Sequence, residues 1–254
     1  MGTPSKAGSS GDYPPRLNTV CHLRKCTFKK LAVSLSPPLT YRRFMKADSS
    51  LTIYDHPLAI SRLTQLRAAS TTTAHFRSQL RQIGSLLLGP VFEDLPSRPL
   101  KVETPLAPCQ GSEHALPIVL VPILRAGLGL MDGLLPHLPE AVVGHLGMYR
   151  NEETLEPVSY YSKLPKETRG GFVVVLDPML ATGHSAIHAI QQLEPHEPKR
   201  IVLATILASP EGIREVREKC PEVRIVTLAV DEGLNDQGYI MPGLGDAGDR
   251  YFGT

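Results

Sequence analysis

"FVVVLDPMLATGHSA", residues 172–186, is the stretch that decides the fold class. Its first five residues are continuously apolar, which is typical of a strand covered on both faces and therefore of a parallel sheet. Asp177 comes directly after this run, and small residues then lead into a helical pattern. Because ligands of open α/β sheets bind where strand ends meet helix starts, the stretch also predicts a binding site.

Three more apolar runs predict the other strands of this sheet. They cover residues 117–124, 200–207 and 224–230, and helical patterns lie between them. One of those helices is predicted to begin at Pro210, because proline is favoured at the first helical position. The fold class is therefore predicted as α/β, with a mainly parallel sheet flanked by helices.

Two amphipathic helices are predicted before the sheet. Leu58, Leu63 and Leu66 share one face of the first helix. The second begins at a threonine-rich cap, residues 71–73, and its apolar residues keep helical spacing. They are Phe76, Leu80, Ile83 and Leu87.

The first 44 residues differ from the rest in composition. They hold eight Lys or Arg residues against the single acid Asp12, a net charge of +7, so the other 210 residues carry −5 of the total of +2. Because no apolar period is sustained there, we expect residues 1–44 to be a disordered basic leader and residues 45–254 to be the folded domain. The leader fits an organellar transit peptide, or an upstream extension of a chain that starts at Met45.

The mildly acidic domain offers no nucleic-acid face.

Cysteine usage and hydropathy restrict the compartment. The four cysteines are loosely spaced, which indicates a reduced, intracellular site: the cytoplasm, or an organelle if the leader is a transit peptide. Cys21, His22 and Cys26 are followed by no second ligand pair, so we expect no zinc site there. No run of 18 apolar residues occurs, and we expect no membrane span.

Two stretches at predicted strand ends suit a phosphorylated ligand. In residues 177–185, the carboxylate of Asp177 can accept hydrogen bonds from sugar hydroxyls, and the turn into the next helix offers backbone N–H groups to a phosphate. Arg125 follows the strand at 117–124, with Gly127 and Gly129 close by. A guanidinium beside an approachable backbone suits a diphosphate.

Two further stretches also suit a binding site: the first is polar and aromatic, and the second is rich in glycine. Residues 148–165 form a long connection that is predicted to act as a binding flap, with Arg150 as a second cation. Residues 239–254 contain a G-x-G-x-x-G spacing, but no βαβ unit surrounds it, so it is no dinucleotide fingerprint. We expect a glycine-rich loop that forms a planar pocket, with Asp246 and Asp249 nearby.

Five blocks resemble uracil phosphoribosyltransferases in order and spacing, over the range from Asp55 to Thr254. They read "VPILRAGLGLMDG" (121–133), "GMYRNEETLEPVSYYSKLP" (147–165), "VVVLDPMLATG" (173–183), "DEGLNDQGYIMPGLGDAGDR" (231–250) and "FGT" (252–254). The resemblance implies a type I phosphoribosyltransferase fold with a small hood. It also implies the reaction of uracil with 5-phosphoribosyl 1-diphosphate (PRPP), which gives UMP and diphosphate, with Mg²⁺ bound through the diphosphate of PRPP.

The resemblance assigns roles to single residues. Arg125 and Asp246 would be catalytic. The PRPP-binding residues would be Arg125, Arg150, Asp177, Pro178, Met179, Leu180, Ala181, Thr182, Gly183, His184, Ser185 and Asp246. The uracil-binding residues would be Ile240, Gly245, Asp246 and Ala247. The resemblance further implies a homo-oligomer and, as in some members, activation by GTP.

One residue departs from the family pattern. The position after Gly183 is usually glycine in the family, and here it is His184. A β-carbon is unfavourable where a positive φ or a close phosphate is required. The histidine is therefore a tolerated substitution, a change in donor affinity or pH dependence, or a loss of catalysis.

Two rival functions stand beside the enzyme. The first is a non-catalytic regulator of the same fold that binds nucleotides or RNA, against which the acidic domain and the uracil block both count. The second is the same fold acting on another base, such as hypoxanthine or orotate. The carboxyl-terminal block argues against it, because other branches build their base pocket differently.

Overall fold

The structure is a computed structural model that describes residues 50–150 and 157–254. The leader predicted at residues 1–44, with its cysteines, lies outside the described residues. The strands are β1 Leu51–Ile53, β2 Ser97–Glu103, β3 Pro108–His114, β4 Ile118–Leu124, β5 Val142–Val143, β6 His145–Arg150, β7 Pro157–Lys163, β8 Phe172–Leu176, β9 Met179–Leu180, β10 Arg200–Ala204, β11 Leu207–Ala208, β12 Arg224–Thr227, β13 Ala229–Val230, β14 Gly233–Leu234 and β15 Ile240–Met241. The α-helices are α1 Pro57–Arg67, α2 Thr73–Leu86, α3 Leu88–Val91, α4 Leu128–Leu134, α5 His184–Leu193, α6 Pro210–Lys219 and α7 Ala247–Phe252.

An eight-stranded sheet forms the centre of the fold. Its order is β1-β12-β10-β8-β4-β6-β7, with β5 also paired to β4. Every pair is parallel except β6–β7, as predicted for the apolar runs. Two antiparallel hairpins, β2–β3 and β14–β15, lie outside this sheet.

The two faces of the sheet bury different side chains, because successive residues of a strand point to opposite sides. In β8, Phe172, Val174 and Leu176 pack with residues of α1, α2, α4 and α7. Val173 and Val175 pack with residues of α5 and α6. The continuous apolar run is thus explained by helices on both faces.

Two predicted strands, at residues 200–207 and 224–230, are shorter than their apolar runs suggested, whereas β8 matches its run of residues 172–176. Each of β8, β10 and β12 stops, and after one or two residues the chain forms β9, β11 and β13, which make a separate parallel sheet in the order β13-β11-β9. Buried threonines stabilise two of these breaks. The hydroxyl of Thr205 donates to the Leu207 carbonyl at 3.0 Å, and that of Thr227 donates to the Ala229 carbonyl at 3.1 Å. Local side-chain bonds of this kind compete with the strand ladder.

The predicted helix faces are largely confirmed. In α2 the four apolar residues are completely buried, and the Thr72 hydroxyl accepts the N–H of His75 at the predicted cap. In α1, Leu63 and Leu66 are buried, but Leu58 is 56% exposed. Leu58 lies in the first turn of α1, and its expected burial was wrong. None of the described helices is both long and apolar enough to cross a membrane.

Candidate active site

The turn after β8, residues 177–185, is called the phosphate loop below. Main-chain hydrogen bonds hold it to the neighbouring strands. The Pro178 carbonyl accepts the N–H groups of Ile206 at 3.0 Å and Leu207 at 3.1 Å, and the Leu180 carbonyl accepts that of Ser209 at 2.9 Å. These bonds fix one side of the loop through groups that any sequence provides.

The other side of the phosphate loop faces a small cavity and the start of α5. Gly183 has φ +85°, a left-handed conformation that favours glycine, and the helix begins at the next residue. The cavity has a volume of about 50 Å³. It is lined by Asp177, Met179, Leu180, Ala181, Thr182, Gly183, Ser185 and Ala186.

His184 lies outside this cavity. It is the exposed first residue of α5, and among the described residues Glu197 is the one non-glycine residue with a positive φ. A β-carbon at position 184 is therefore compatible with the turn. This geometry favours the interpretation of His184 as a tolerated substitution.

A larger cavity of about 530 Å³ separates the phosphate loop from residues 237–248, called the base loop below. The phosphate loop contributes Asp177, Met179 and Ala181 to its wall. All four residues with a predicted uracil role line it as well, namely Ile240, Gly245, Asp246 and Ala247. The structure thus brings together residues that the sequence assigned to two substrates.

Sequence reasoning missed five residues that line the larger cavity. They are Ala126, Gln237, Gly238, Tyr239 and Gly248. All five fall inside the blocks that carry the family resemblance, so their position next to assigned residues was the available signal. Pro178, in contrast, lines neither cavity, and its carbonyl holds the loop to its neighbours.

The base loop is held by an ion pair that comes from distant parts of the chain. Arg67, at the end of α1, donates to both carboxylate oxygens of Asp231 at 2.6 and 2.7 Å and to the Gly243 carbonyl at 2.8 Å. Asp231 also accepts the Gly243 N–H at 2.9 Å, and its side chain is only 7% exposed. No local pattern in the sequence indicates this pair.

A second arginine connects the base loop to α1 and α2. Arg250 donates to the carbonyls of Leu66, Leu244 and Ala68 at 2.5 to 2.7 Å. Its guanidinium carbon lies 4.6 Å from the ring centre of Phe76. Burial of this group lowers the pKa of Arg250, and the three carbonyls accept hydrogen bonds from its two terminal nitrogens. The loop that carries Gly245 and Asp246 is thereby fixed from the helical side.

Arg125 lies at the carboxyl end of β4, as predicted, but it does not line either cavity. Its side chain is half exposed, and its Nη2 donates to the Asp249 carboxylate at 3.0 Å. Gly127 brings this turn against β8, since a β-carbon there would lie 2.3 Å from the Leu176 carbonyl oxygen. Arg125 is thus positioned next to the strand end that carries Asp177.

The predicted flap, residues 148–165, is described in part. Its two ends form the antiparallel pair β6–β7, with a register shift between Gly147 and Met148. The backbone of Arg150 ends β6, but its side chain and residues 151–156 lie outside the described part of the chain. The role predicted for Arg150 stays a prediction.

Two carboxylates give the larger cavity its electrostatic character. Asp177 is half-buried, and burial raises its pKa to about 7. The nearby Asp246 carboxylate contributes a smaller part of this increase, and the hydrogen bond from the Met179 N–H opposes it. Near neutral pH, Asp177 is therefore partly protonated when no ligand is bound. A ligand that requires the carboxylate displaces that proton.

The parallel sheet, the turn from β8 into α5 and the cavity between the two loops define a type I phosphoribosyltransferase. Residues 53–254 match the family profile described as uracil phosphoribosyltransferase. The chain belongs to the uracil phosphoribosyltransferase family. It is therefore an enzyme, a glycosyltransferase that transfers a pentosyl group.

Individual relatives agree with this assignment over nearly their full length. The uracil phosphoribosyltransferase of Dictyoglomus thermophilum is 50% identical over 203 residues, which cover 80% of this chain and 98% of that protein. That of Paracoccus denitrificans is 48% identical over 208 residues, 82% of this chain and 99% of that protein. The solved structure of the AQ2163 protein from Aquifex aeolicus superposes with a TM-score of 0.76 at 40% identity, covering 80% of this chain and 97% of that one.

Proposed function

We propose that the larger cavity binds uracil and the ribose of PRPP together, and that the 5-phosphoribosyl group is transferred there to N1 of uracil with release of diphosphate. The observation that carries the proposal is the shared wall: Asp177 of the phosphate loop and Asp246 of the base loop line one cavity. Reaction at an anomeric carbon requires alignment of the two reactants more than covalent chemistry, and two fixed loops facing each other provide that alignment.

The donor is proposed to lie along the phosphate loop. Its 5-phosphate is proposed to lie in the small cavity at the start of α5, which Thr182, Gly183 and Ser185 help to line, because the backbone N–H groups of a turn into a helix suit an anion. The ribose hydroxyls donate to Asp177, which must be ionised to accept both. Arg125 contacts the diphosphate and stabilises the charge that develops on it as the bond to C1 breaks.

The base is proposed to lie against the base loop. Ile240 is buried and offers an apolar wall, while Gly245, Asp246 and Ala247 present backbone donors and acceptors at the cavity. Uracil carries an imide N–H between two carbonyl groups, whereas cytosine has an unprotonated nitrogen and an amino group on that edge. A fixed set of backbone groups that matches uracil leaves polar groups unpaired with cytosine, which is unfavourable.

Mg²⁺ fits this site as a partner of the donor. Among the described residues, no group of three or more His, Cys, Asp or Glu side chains could hold a metal ion. Asp177 and Asp246 supply hard carboxylate oxygens, and Mg²⁺ commonly binds through one or two carboxylates together with substrate phosphates. When bound, Mg²⁺ would neutralise part of the negative charge of the diphosphate.

Three further expectations are proposals, of which the first two rest on the family resemblance and the third on the composition of residues 1–44. The protein forms a homo-oligomer, which sedimentation would measure. GTP activates it, which the rate with and without GTP would test. It acts in the cytoplasm, or in an organelle if residues 1–44 are a transit peptide, and fluorescent fusions with and without those residues would distinguish the two.

The function is tested by diphosphate release from the purified full chain with PRPP and Mg²⁺. We expect release with uracil and none with cytosine, with hypoxanthine or without base. Asp246→Asn should lose most of the rate, whereas Glu113→Gln, on the exposed hairpin β2–β3, should keep it. If PRPP binds but no base supports release, the protein is a regulator; if hypoxanthine supports release, the base assignment is wrong.

A further inference from the structure

The last residues of the chain form a platform under Arg125. The Asp249 carboxylate accepts a hydrogen bond from Nη2 of Arg125 at 3.0 Å, and the ring centre of Phe252 lies 5.5 Å from the guanidinium carbon. A guanidinium that pairs with a carboxylate at one edge and an aromatic ring at one face has few orientations left. We call Asp249 and Phe252 the arginine platform.

This platform is fixed from three sides. Oδ1 of Asp246 accepts the N–H of Asp249 at 2.8 Å, at the start of α7. The hydroxyl of Thr254 donates to the same Asp249 oxygen that Arg125 uses, at 3.1 Å. From α2, Arg77 donates to the carbonyls of Tyr251 and Phe252 at 2.6 and 3.2 Å. The platform is therefore built into the fold, and Arg125 takes its orientation from it.

Stability does not explain the pair between Arg125 and Asp249. The two side chains are 53% and 52% exposed, and exposed ion pairs contribute only about 0–1 kcal/mol to folding. A guanidinium has five N–H donors, and the contact with Asp249 uses one of the two on Nη2. The donors of Nε and Nη1 are not used by this contact and can serve an anionic ligand without loss of the pair.

We infer that Asp249 is a positioning residue for the diphosphate of the donor, acting through Arg125. This inference rests on the proposed function. In it, the arginine platform restricts the orientation of the Arg125 guanidinium before the donor binds. Immobilisation of a long side chain opposes binding by about 0.5–1.5 kcal/mol, and a side chain that is already oriented avoids part of this loss. Loss of the Asp249 carboxylate should therefore weaken donor binding, with a smaller effect on the bond-breaking step, because the bound diphosphate then holds the guanidinium itself.

The test is a double-mutant cycle that measures binding. Titration calorimetry with Mg²⁺-pyrophosphate and with PRPP compares the wild type, Asp249→Ala, Arg125→Ala and the double variant. We expect Asp249→Ala to weaken binding about five-fold in the wild-type background, the equivalent of about 1 kcal/mol, and less than about two-fold once Arg125 is absent. KM for PRPP should rise while kcat changes little.

Two control variants separate positioning from a structural role. Thr254→Val removes the second donor to Asp249 but keeps the contact with Arg125, and it should leave binding within about two-fold. Glu113→Ala breaks an exposed pair with Arg98 of similar length, 2.9 Å, on the hairpin β2–β3 and should change nothing. A loss in Thr254→Val as large as in Asp249→Ala, or equal losses in both Arg125 backgrounds, would overturn the inference. Absence of pyrophosphate and PRPP binding in the wild type would instead refute the proposed function.

Discussion

The phosphate loop and the base loop face each other across one cavity but are held in different ways. Main-chain hydrogen bonds to β11 and to the start of α6 fix most of the phosphate loop, and one buried side chain adds to them, since the Ser209 hydroxyl donates to the Ala181 carbonyl at 2.6 Å. The base loop depends on the side chains of Arg67, Asp231 and Arg250, which bridge residues more than 160 positions apart in the chain. The first loop should therefore tolerate most side-chain changes around it apart from those at Ser209, whereas loss of one distant side chain should disorganise the second.

The largest expected effect comes from Asp231→Ala. This change leaves Arg67 without its carboxylate partner and removes the acceptor of the Gly243 N–H. Breaking a buried pair in this way should lower the free energy of unfolding by about 3–4 kcal/mol. KM for uracil should rise strongly, while pyrophosphate binding at the other loop should stay within about three-fold.

Urea denaturation and calorimetry with pyrophosphate measure the two effects. Glu113→Ala serves as the control, because its exposed pair with Arg98 should contribute less than about 1 kcal/mol. Equal losses of uracil and pyrophosphate binding in Asp231→Ala would show that the two loops are not held independently.

Asp177→Asn should produce a smaller effect, which changes with pH. Because the pKa of Asp177 is raised from 3.8 to about 7, its contribution to stability is fully present below pH 3.8 and is lost as the pH rises through about 7. Asparagine stays neutral at every pH, so the variant does not lose this stability as the pH rises. The variant should therefore be more stable than the wild type at pH 8, by about 2–3 kcal/mol after allowance for partial exposure, and nearly equal to it at pH 4.

Thermal unfolding at both pH values, with PRPP binding measured in parallel, checks this prediction. Binding should be weak in Asp177→Asn at either pH, because the side-chain amide cannot replace a carboxylate as acceptor of two hydroxyls. A variant that is less stable than the wild type at pH 8 would contradict the raised pKa of Asp177.

Gly212→Ala tests whether close packing of α6 helps to fix the phosphate loop. Gly212 lies in the first turn of α6, and a β-carbon there would be 2.3 Å from the Ala181 carbonyl oxygen. Alanine normally favours a helix, but here it must push α6 away from the loop. We expect a loss of about 2 kcal/mol in unfolding free energy and weaker PRPP binding.

Gly89→Ala provides the matched control for this substitution. Gly89 also lies in a helix, and a β-carbon there would meet no atom within 4 Å. This variant should be at least as stable as the wild type, because alanine has the higher helix propensity. If Gly212→Ala behaves in the same way, close packing of α6 does not hold the phosphate loop.

The difference between the loops also explains how far the sequence could predict the molecule. The apolar run 172–176 and the turn after it are local patterns, and the sheet, the phosphate loop and the position of Asp177 followed from them. The uracil positions followed from the family resemblance, because the glycine-rich segment around Gly245 has no strand pattern of its own. The breaks at Thr205 and Thr227 were missed, since the apolar runs continue through them.

The supports of the base loop could not be predicted from the sequence. Arg67 lies at the end of an amphipathic helix, where a basic residue is ordinary, and Asp231 and Arg250 resemble other surface charges in the sequence. Their partners are backbone carbonyls and each other, at sequence separations that only the folded chain brings together. The same holds for the contact between Arg125 and Asp249.

His184→Gly is expected to have the smallest effect, and it addresses the residue that departs from the family pattern. His184 is exposed, has no positive φ and lines neither cavity. Glycine should lower stability by only about 0.5 kcal/mol, because it disfavours the first turn of α5, and it should change KM for PRPP less than two-fold. Steady-state rates with uracil at varied PRPP measure this. A gain of five-fold or more in affinity would mean that the imidazole obstructs the phosphate, and a comparable loss would mean that it donates to it; either result would show that phosphate binding depends on the side chain at position 184.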